Sequence, residues 1–542
     1  MIKKLVYLSL LTLVLCAGCK NKSRRIWHKT TAGNEQSDIS VRDYSITKAN
    51  AYNDIFLDSA SFEKFIADQV TDDSLSENMR DFYNVRNFEF AWFDSNGLTE
   101  QALGFRSFYK YSTDSVNKQL DKKLDELLLH ETTIDPADPS IVKIELQLTK
   151  RFVQFSLDTY KEEGLDERQF ETFIPIKKQP VLALADSILS KKNKDTKKYA
   201  SINPYYYDLK EQLAKYVEIN HKNGWPSIPE TKTKFTLGKI FPEIPIIKKR
   251  LFITGEFADQ DTTAMYTPGL EAALKEYQAN HGISPDGKLS PALIQSLNVP
   301  VIDRIQQLLI NMERMRWMPT KKEGKLILVN IPEYMLHVSD GNTHVMHMAV
   351  VVGKEGHHTT MFADDLTEIV FSPYWNLPPS IVKNEILPAI QKNPNYLNEK
   401  HMEIVSSNGG GIPAIRQLPG ENNSLGRVKF LFPNSFNIYF HDTPAKSLFD
   451  KDDRAASHGC IRLSEPVKMA NYLLENSPNW TPEKIEVAMN SGVEKTVSLT
   501  HSVPVIITYY TAWVDENKKM NFREDVYGND KIFSAKMFSN AL

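Results

Sequence analysis

The dominant spacing of this chain's apolar residues changes near residue 320. Upstream, from about Ile55 to Trp317, they recur at three- and four-residue intervals, the repeat of one buried helix face. Downstream, residues 326–338 and 343–352 are rich in Val, Ile and Leu and flank an Asp340-Gly341 turn, which predicts a β-hairpin. A segment patterned for one period does not bury its apolar side in the other, so the chain is α+β, with helical and strand-rich parts in separate domains. Its 542 residues suffice for roughly three to four of them.

Helical signals dominate residues 55–234. Ser59-Ala60-Ser61-Phe62-Glu63 opens like a capped helix, and residues 146–160 and 205–219 carry the helical repeat. The aromatics of Asp81-Phe82-Tyr83-Asn84-Val85-Arg86-Asn87-Phe88-Glu89-Phe90-Ala91-Trp92-Phe93 are expected in the core of this scaffold. Residues 235–299 hold three shorter helical segments, the clearest at 268–283, followed by an Asp286-Gly287 turn and Ser290-Pro291-Ala292-Leu293. An amphipathic linking helix occupies most of 300–324.

The first residues are an export signal: Lys3 and Lys4 precede an apolar run over 5–15 that is too short to span a membrane comfortably. The run ends in Leu15-Cys16-Ala17-Gly18-Cys19, which resembles a bacterial lipoprotein box and makes Cys19 the expected lipidated residue. Cys16 stands where that box usually has leucine, and a conventional signal peptide is the alternative. Residues 20–54 are polar without apolar period and are expected to be a flexible tether.

Of three cysteines only Cys460 lies beyond the leader, so an internal disulfide is not expected in the processed chain. A solitary thiol is either a small buried hydrophobe or a nucleophile served by a histidine, and His441 and His458 are the candidate partners. Gly459 suits a turn that a side chain would obstruct, and the N–H groups of Gly459 and Cys460 are candidate oxyanion donors. Arg462, two residues on, shares the face of Cys460 if the segment is a strand, and adds positive potential there. His337, His344, His347, His357 and His358 come without a His-Glu-x-x-His pattern, a cysteine pair or an acidic cluster, so no metal or other cofactor is expected. A formal net charge of −3, mixed along the chain, argues against a nucleic-acid partner.

Ser457-His458-Gly459-Cys460-Ile461-Arg462-Leu463, with Ile438-Tyr439-Phe440-His441-Asp442-Thr443-Pro444 upstream, resembles the signature of the L,D-transpeptidase (YkuD-like) catalytic domain. Asp442, where smaller members carry glycine, agrees with the large multidomain YcbB-like branch. Residues 81–93 resemble the start of that branch's N-terminal scaffold, and residues 268–298 resemble a small peptidoglycan-binding domain. The resemblance implies a β-rich catalytic sandwich over 325–515, an inserted capping subdomain at 376–430 and a C-terminal extension at 516–542. It further implies a Cys460 nucleophile, His441 as general acid and base, and 3-3 crosslinks between peptidoglycan stem peptides. Ser457, His458, Arg462, Tyr439 and Trp375 become candidate substrate-binding residues, and carbapenems expected covalent inhibitors. The implied setting is the periplasm-facing cell envelope, with a lipid anchor in the outer membrane of a Gram-negative bacterium. Two alternatives stay open, an L,D-carboxypeptidase that resolves the thioester with water and a non-catalytic wall-binding lipoprotein.

Overall fold

The structure, a computed structural model, describes residues 39–112, 118–129, 133–163, 173–190, 205–230, 235–258, 261–317, 324–341, 343–406 and 411–539. The expected leader, Cys19 and residues 20–38 of the expected tether lie outside them.

Helices Ser59–Gln69, Asp73–Asn84, Glu100–Ser112, Lys118–Leu129 and Pro139–Glu163 enclose the aromatic stretch, whose end forms β1 (Phe93–Asp94), paired with β2 (Gly97–Leu98). The first helix begins where the Asp58 carboxylate accepts the Ser61 N–H at 2.9 Å, a side-chain cap on an otherwise unpaired donor. Phe82, Tyr83, Phe90, Trp92 and Phe93 are fully buried. Buried Glu145 accepts the backbone N–H groups of Ala91 at 2.7 Å and Trp92 at 3.0 Å, and the Tyr83 hydroxyl at 2.9 Å. Burial nevertheless pushes its carboxyl up to about 7.

The tether expected over 20–54 is corrected where it is described. Ile46, Ala51 and Tyr52 are buried, the Tyr52 N–H donates to the Ile176 carbonyl at 3.1 Å, and Gln101 Nε2 donates to the Tyr52 hydroxyl at 2.7 Å. Three isolated apolar side chains dock this segment without any period that a sequence pattern displays.

Helices Ile244–Thr254, Pro268–Asn280 and Pro291–Leu297 share a separate core of Leu270, Leu274, Tyr277, Leu293 and Leu297. Asp286 belongs to its turn, accepting from Gln278 Nε2 at 2.9 Å and the Lys288 N–H at 2.8 Å. Helix Val301–Met315 then joins the helical and strand-rich parts. Its Arg314 is paired with Glu100 of the scaffold at 2.8 Å and with Asp530, while Asn311 exchanges two hydrogen bonds with Thr511.

The strand-rich part is built on β3 (Lys325–Asn330), β4 (Met335–Asp340), β5 (Thr343–Gly353), β6 (Phe362–Phe371), β10 (Val428–Leu431), β11 (Phe440–His441), β12 (Ala455–Ser457), β13 (Ile461–Leu463) and β14 (Lys495–Thr508). Their order is β12-β5-β13-β11-β10-β6-β14-β3-β4. Because β4 also pairs with β5, the layers are continuous and the sheet closes on itself. The hairpin arm expected over 326–338 is two strands, β3 and β4, reversed through a 3-10 turn at Ile331–Glu333 and the left-handed Tyr334 (φ 58°). Pro332 lacks the N–H a continuous strand needs there.

Between β6 and β10 the chain leaves this sheet to form a subdomain of β7 (Trp375–Asn376), β8 (Met402–Ser406), β9 (Ala414–Gln417) and a helical stretch over 379–392. It has its own small core of Leu377, Val382, Ile386, Met402 and Ile415. The Ser372 N–H, donating to the Arg427 carbonyl at 2.9 Å, holds the two crossings of its neck together. A boundary at 515/516 is also corrected. β15 (Ala512–Val514) pairs with β16 (Met520–Phe522), so that boundary would cut a hairpin, and helix Asn529–Met537 packs on helix Val301–Met315. Among the described residues no helix is long and apolar enough to cross a membrane.

Candidate active site

Parallel pairing of β11 with β13 assembles the site. Phe440 lies opposite Ile461 and His441 opposite Arg462, and the Ile461 N–H donates to the Tyr439 carbonyl at 3.1 Å. Cys460 therefore stands beside Tyr439, one step before the strand begins. Since side chains alternate along a strand, Cys460, Arg462, Tyr439 and His441 project to one face. The Tyr439 and His441 rings are 5.8 Å apart.

The partly exposed Cys460 thiol donates to the Asn437 carbonyl at 3.5 Å. Burial raises its pKa above the ordinary thiol value, while hydrogen bonds from the Tyr439 N–H and hydroxyl and the charge of Arg462 act in the opposite sense. Buried His441 donates from Nδ1 to the Asp442 carbonyl at 2.5 Å, because a carbonyl only accepts. That bond leaves Nε2 as the proton-accepting nitrogen of a neutral ring. Burial first, then the Arg462 charge, hold its pKa down at about 3, so the ring is a free base at neutral pH. Arg462 Nε is buried without a partner among the described residues, which leaves capacity for an anionic ligand.

The turn before Cys460 is tied down on several sides. Gly459 has φ +108°, a conformation L side chains rarely adopt. Its N–H donates to Ser457 Oγ at 3.1 Å, and Ser457 Oγ donates to the Cys460 carbonyl at 2.6 Å. Two expectations change here. The Gly459 N–H and the buried Ser457 hydroxyl are both engaged inside the turn, against the donor and ligand-facing placements expected of them. No acceptor for the Cys460 N–H is found among the described residues. His458 projects outward, 3.1 Å from Glu385 Oε1 of the inserted subdomain, with its ring 4.9 Å from that of His357. Trp375 stands on β7, packed against the subdomain's own core.

Three further residues have no local motif. Thr359 Oγ1 accepts the Gly353 N–H at 2.9 Å and donates to the Gly459 carbonyl at 2.8 Å. Tyr527 donates its hydroxyl proton to the Gly353 carbonyl at 2.7 Å and stacks on His358 with ring centroids 4.1 Å apart. At Gly353 itself a Cβ would meet the His357 carbonyl oxygen at 1.9 Å. The only signal available was the identity of the residue types, since their partners lie up to 174 positions away.

His337, His344 and His347 gather on the β4–β5 hairpin with ring centroids 5.4 to 6.4 Å apart, and Glu333 accepts from His337 at 3.0 Å. Among the described residues, no group of three or more His, Cys, Asp or Glu is placed to hold a metal ion.

Residues 324–496 match the family described as "L,D-transpeptidase catalytic domain" (YkuD), residues 77–213 a "Scaffold domain" and residues 242–297 a "Putative peptidoglycan binding domain". A "Putative L,D-transpeptidase" of Haemophilus influenzae is 31% identical over 241 residues, 42% of this chain and 48% of the relative. The match thus spans about half the length of that relative. Among solved structures, an L,D-transpeptidase from Mycobacterium smegmatis aligns at 16% identity over 34% of this chain and 58% of its own, with a TM-score of 0.19. One from Stackebrandtia nassauensis aligns at 13% identity over 52% and 96%, with a TM-score of 0.22.

Proposed function

For a chain that carries an L,D-transpeptidase (YkuD) catalytic domain joined to a peptidoglycan-binding domain, we propose a cysteine acyltransferase that forms 3-3 crosslinks between stem peptides. The observation that carries this reading is the joint placement of Cys460, Tyr439, His441 and Arg462 on one face of adjacent parallel strands.

His441 Nε2 takes the thiol proton as sulfur attacks the carbonyl at the L-centre of diaminopimelate in a tetrapeptide stem. The S–C bond forms, and the Cys460 N–H holds the oxyanion together with the Tyr439 hydroxyl, at roughly 3 kcal/mol per donor. His441 then passes its proton to the nitrogen of the terminal D-alanine, the C–N bond breaks, and a thioester remains. The D-centre amine of a second stem attacks that carbonyl, forming the new C–N bond while sulfur leaves and recovers a proton through His441. Arg462 receives a substrate carboxylate, and His458 and Trp375 border the approach. A lipid on Cys19 would hold the enzyme at the envelope membrane with its domains facing the wall.

Intact-protein mass spectrometry with purified disaccharide-tetrapeptide tests the reading. A thioester adduct, released D-alanine and crosslinked dimer are expected, with none of them from Cys460→Ala. Adduct with tripeptide alone would assign a carboxypeptidase. A folded protein giving neither adduct nor product would leave a wall-binding protein. Exposure to a carbapenem is expected to add the mass of one opened ring at Cys460.

A further inference from the structure

Where the scaffold meets the catalytic domain there is a cavity of about 530 Å³. Helices Glu100–Ser112, Lys118–Leu129 and Pro139–Glu163 supply its Arg106, Asp121, Asp125 and Arg151, and the loop from β10 to β11 supplies Ser435 and Phe436. Its size is that of a site for a small ligand or peptide segment.

These four charged side chains form two ion pairs, and one guanidinium nitrogen is left over. Only 8% of the Arg151 side chain is exposed; Nη1 lies 3.2 Å from Asp121, the guanidinium covers the Tyr109 ring at 4.7 Å, and Nη2 is buried without a partner among the described residues. An unfilled guanidinium nitrogen in a buried setting costs free energy that an incoming carboxylate or carbonyl recovers. Arg106 pairs with Asp125 at 2.5 Å, and Asp125 also accepts the Ser435 hydroxyl at 2.7 Å. That second bond fastens the catalytic loop to the scaffold.

The same loop leads to the nucleophile. Phe436 lines the cavity, and the carbonyl of the next residue, Asn437, accepts the Cys460 thiol. The inserted subdomain attaches at the other end of β10, where Val428 pairs with Phe371. The cavity's lining thus ends one residue before the carbonyl that accepts the Cys460 thiol. The unfilled Arg151 Nη2 suits a peptide that bears a carboxylate.

We propose that this cavity binds the second, amine-bearing stem peptide, with Arg151 Nη2 receiving one of its carboxylates or peptide carbonyls. The inference rests on the transpeptidase reading. The acceptor amine reaches the thioester from the scaffold side while the acylated stem extends toward the subdomain. Nitrogen bonds the carbonyl carbon, the C–S bond breaks, and the proton shed by the amine passes through His441 to sulfur.

The test separates the half-reactions in the full chain. The donor is a tetrapeptide stem, and the acceptor a tripeptide stem ending in diaminopimelate, which has no D-alanine to release. Ser107→Phe narrows the cavity from a scaffold helix, Arg151→Gln removes the guanidinium, and circular dichroism and melting establish which variants fold. Thioester formation is followed by mass and transfer by crosslinked product. The expected result is a ratio of transfer to acylation lowered about tenfold or more, the scale of one lost charge-assisted hydrogen bond, with a raised acceptor KM. A folded variant of either kind with the wild-type acceptor KM overturns the inference while the transpeptidase reading stands. Acylation falling in step with transfer makes the cavity structural and also overturns it. If both variants unfold, acceptor protection of wild-type Arg151 from phenylglyoxal decides, and no protection overturns it. Wild-type enzyme that only hydrolyses its thioester overturns the transpeptidase reading itself.

Discussion

Thr359 Oγ1 donates to the Gly459 carbonyl at 2.8 Å, joining a loop before β6 to the turn that presents the nucleophile, 100 residues later in the chain. The same oxygen accepts the Gly353 N–H, so one hydroxyl sets the distance between two backbone segments.

Thr359→Val keeps the shape and removes both bonds. The stranded buried N–H costs about 1–3 kcal/mol, read by urea denaturation, and Cys460 acylation slows because its turn is no longer held. Thr359→Ser, which restores the oxygen, is expected to recover both. A Val variant that melts and acylates like wild type would deny the strut any role.

At Gly459, φ +108° makes any Cβ a strain even though the nearest atom, the His358 carbonyl oxygen, is 3.8 Å away. Gly459→Ala is expected to cost about 1–3 kcal/mol and to lower the acylation rate by a larger factor than melting alone explains. The comparison is between denaturation midpoints and carbapenem acylation rates at a temperature where both proteins are folded.

His441, held at about 3, binds no proton at neutral pH. Alkylation of Cys460 by iodoacetamide is therefore expected to show no inflection near 6.5 and to climb into the alkaline range, following the raised thiol pKa. Stability carries the matching sign. Below 6.5 the unfolded chain protonates this histidine and the folded chain does not until about 3, so the unfolded state binds more protons and stability falls as the pH is lowered through that window. His441→Gln is expected to flatten this part of the slope in a pH series of denaturation curves.

Tyr52 is 2% exposed, and its ring meets the edge of Phe533 at 6.2 Å. Tyr52→Ala is expected to cost about 3–5 kcal/mol, measured by denaturation, as for other large buried aromatics. A change within a few tenths would return residues 40–54 to the status of a tether.

Legibility in the sequence followed distance along the chain. The run around Cys460, the upstream His441 and the helical repeats were visible because their information lies within a few residues. The same-face relation of Cys460 and Arg462 was visible through strand alternation, and their pairing with Tyr439 and His441 through a parallel ladder was not. The engagement of the Gly459 N–H escaped because it depends on where one Ser457 oxygen points. Thr359 and Tyr527 escaped because a hydroxyl serving a distant carbonyl leaves no local pattern. Pro332 marks where β3 must end, and the hairpin pattern around it hid the break.

Tyr527 carries a consequence for timing. It contacts Gly353 and His358, yet it follows Cys460 by 67 positions along the chain. The thiol and its histidine are both synthesised before the residue that braces the wall of their turn. A nascent chain released at any point before Tyr527 would carry every atom of the chemistry and lack the brace. The Gly353 carbonyl and the His358 ring thus meet this partner only after the polypeptide has been made past residue 527.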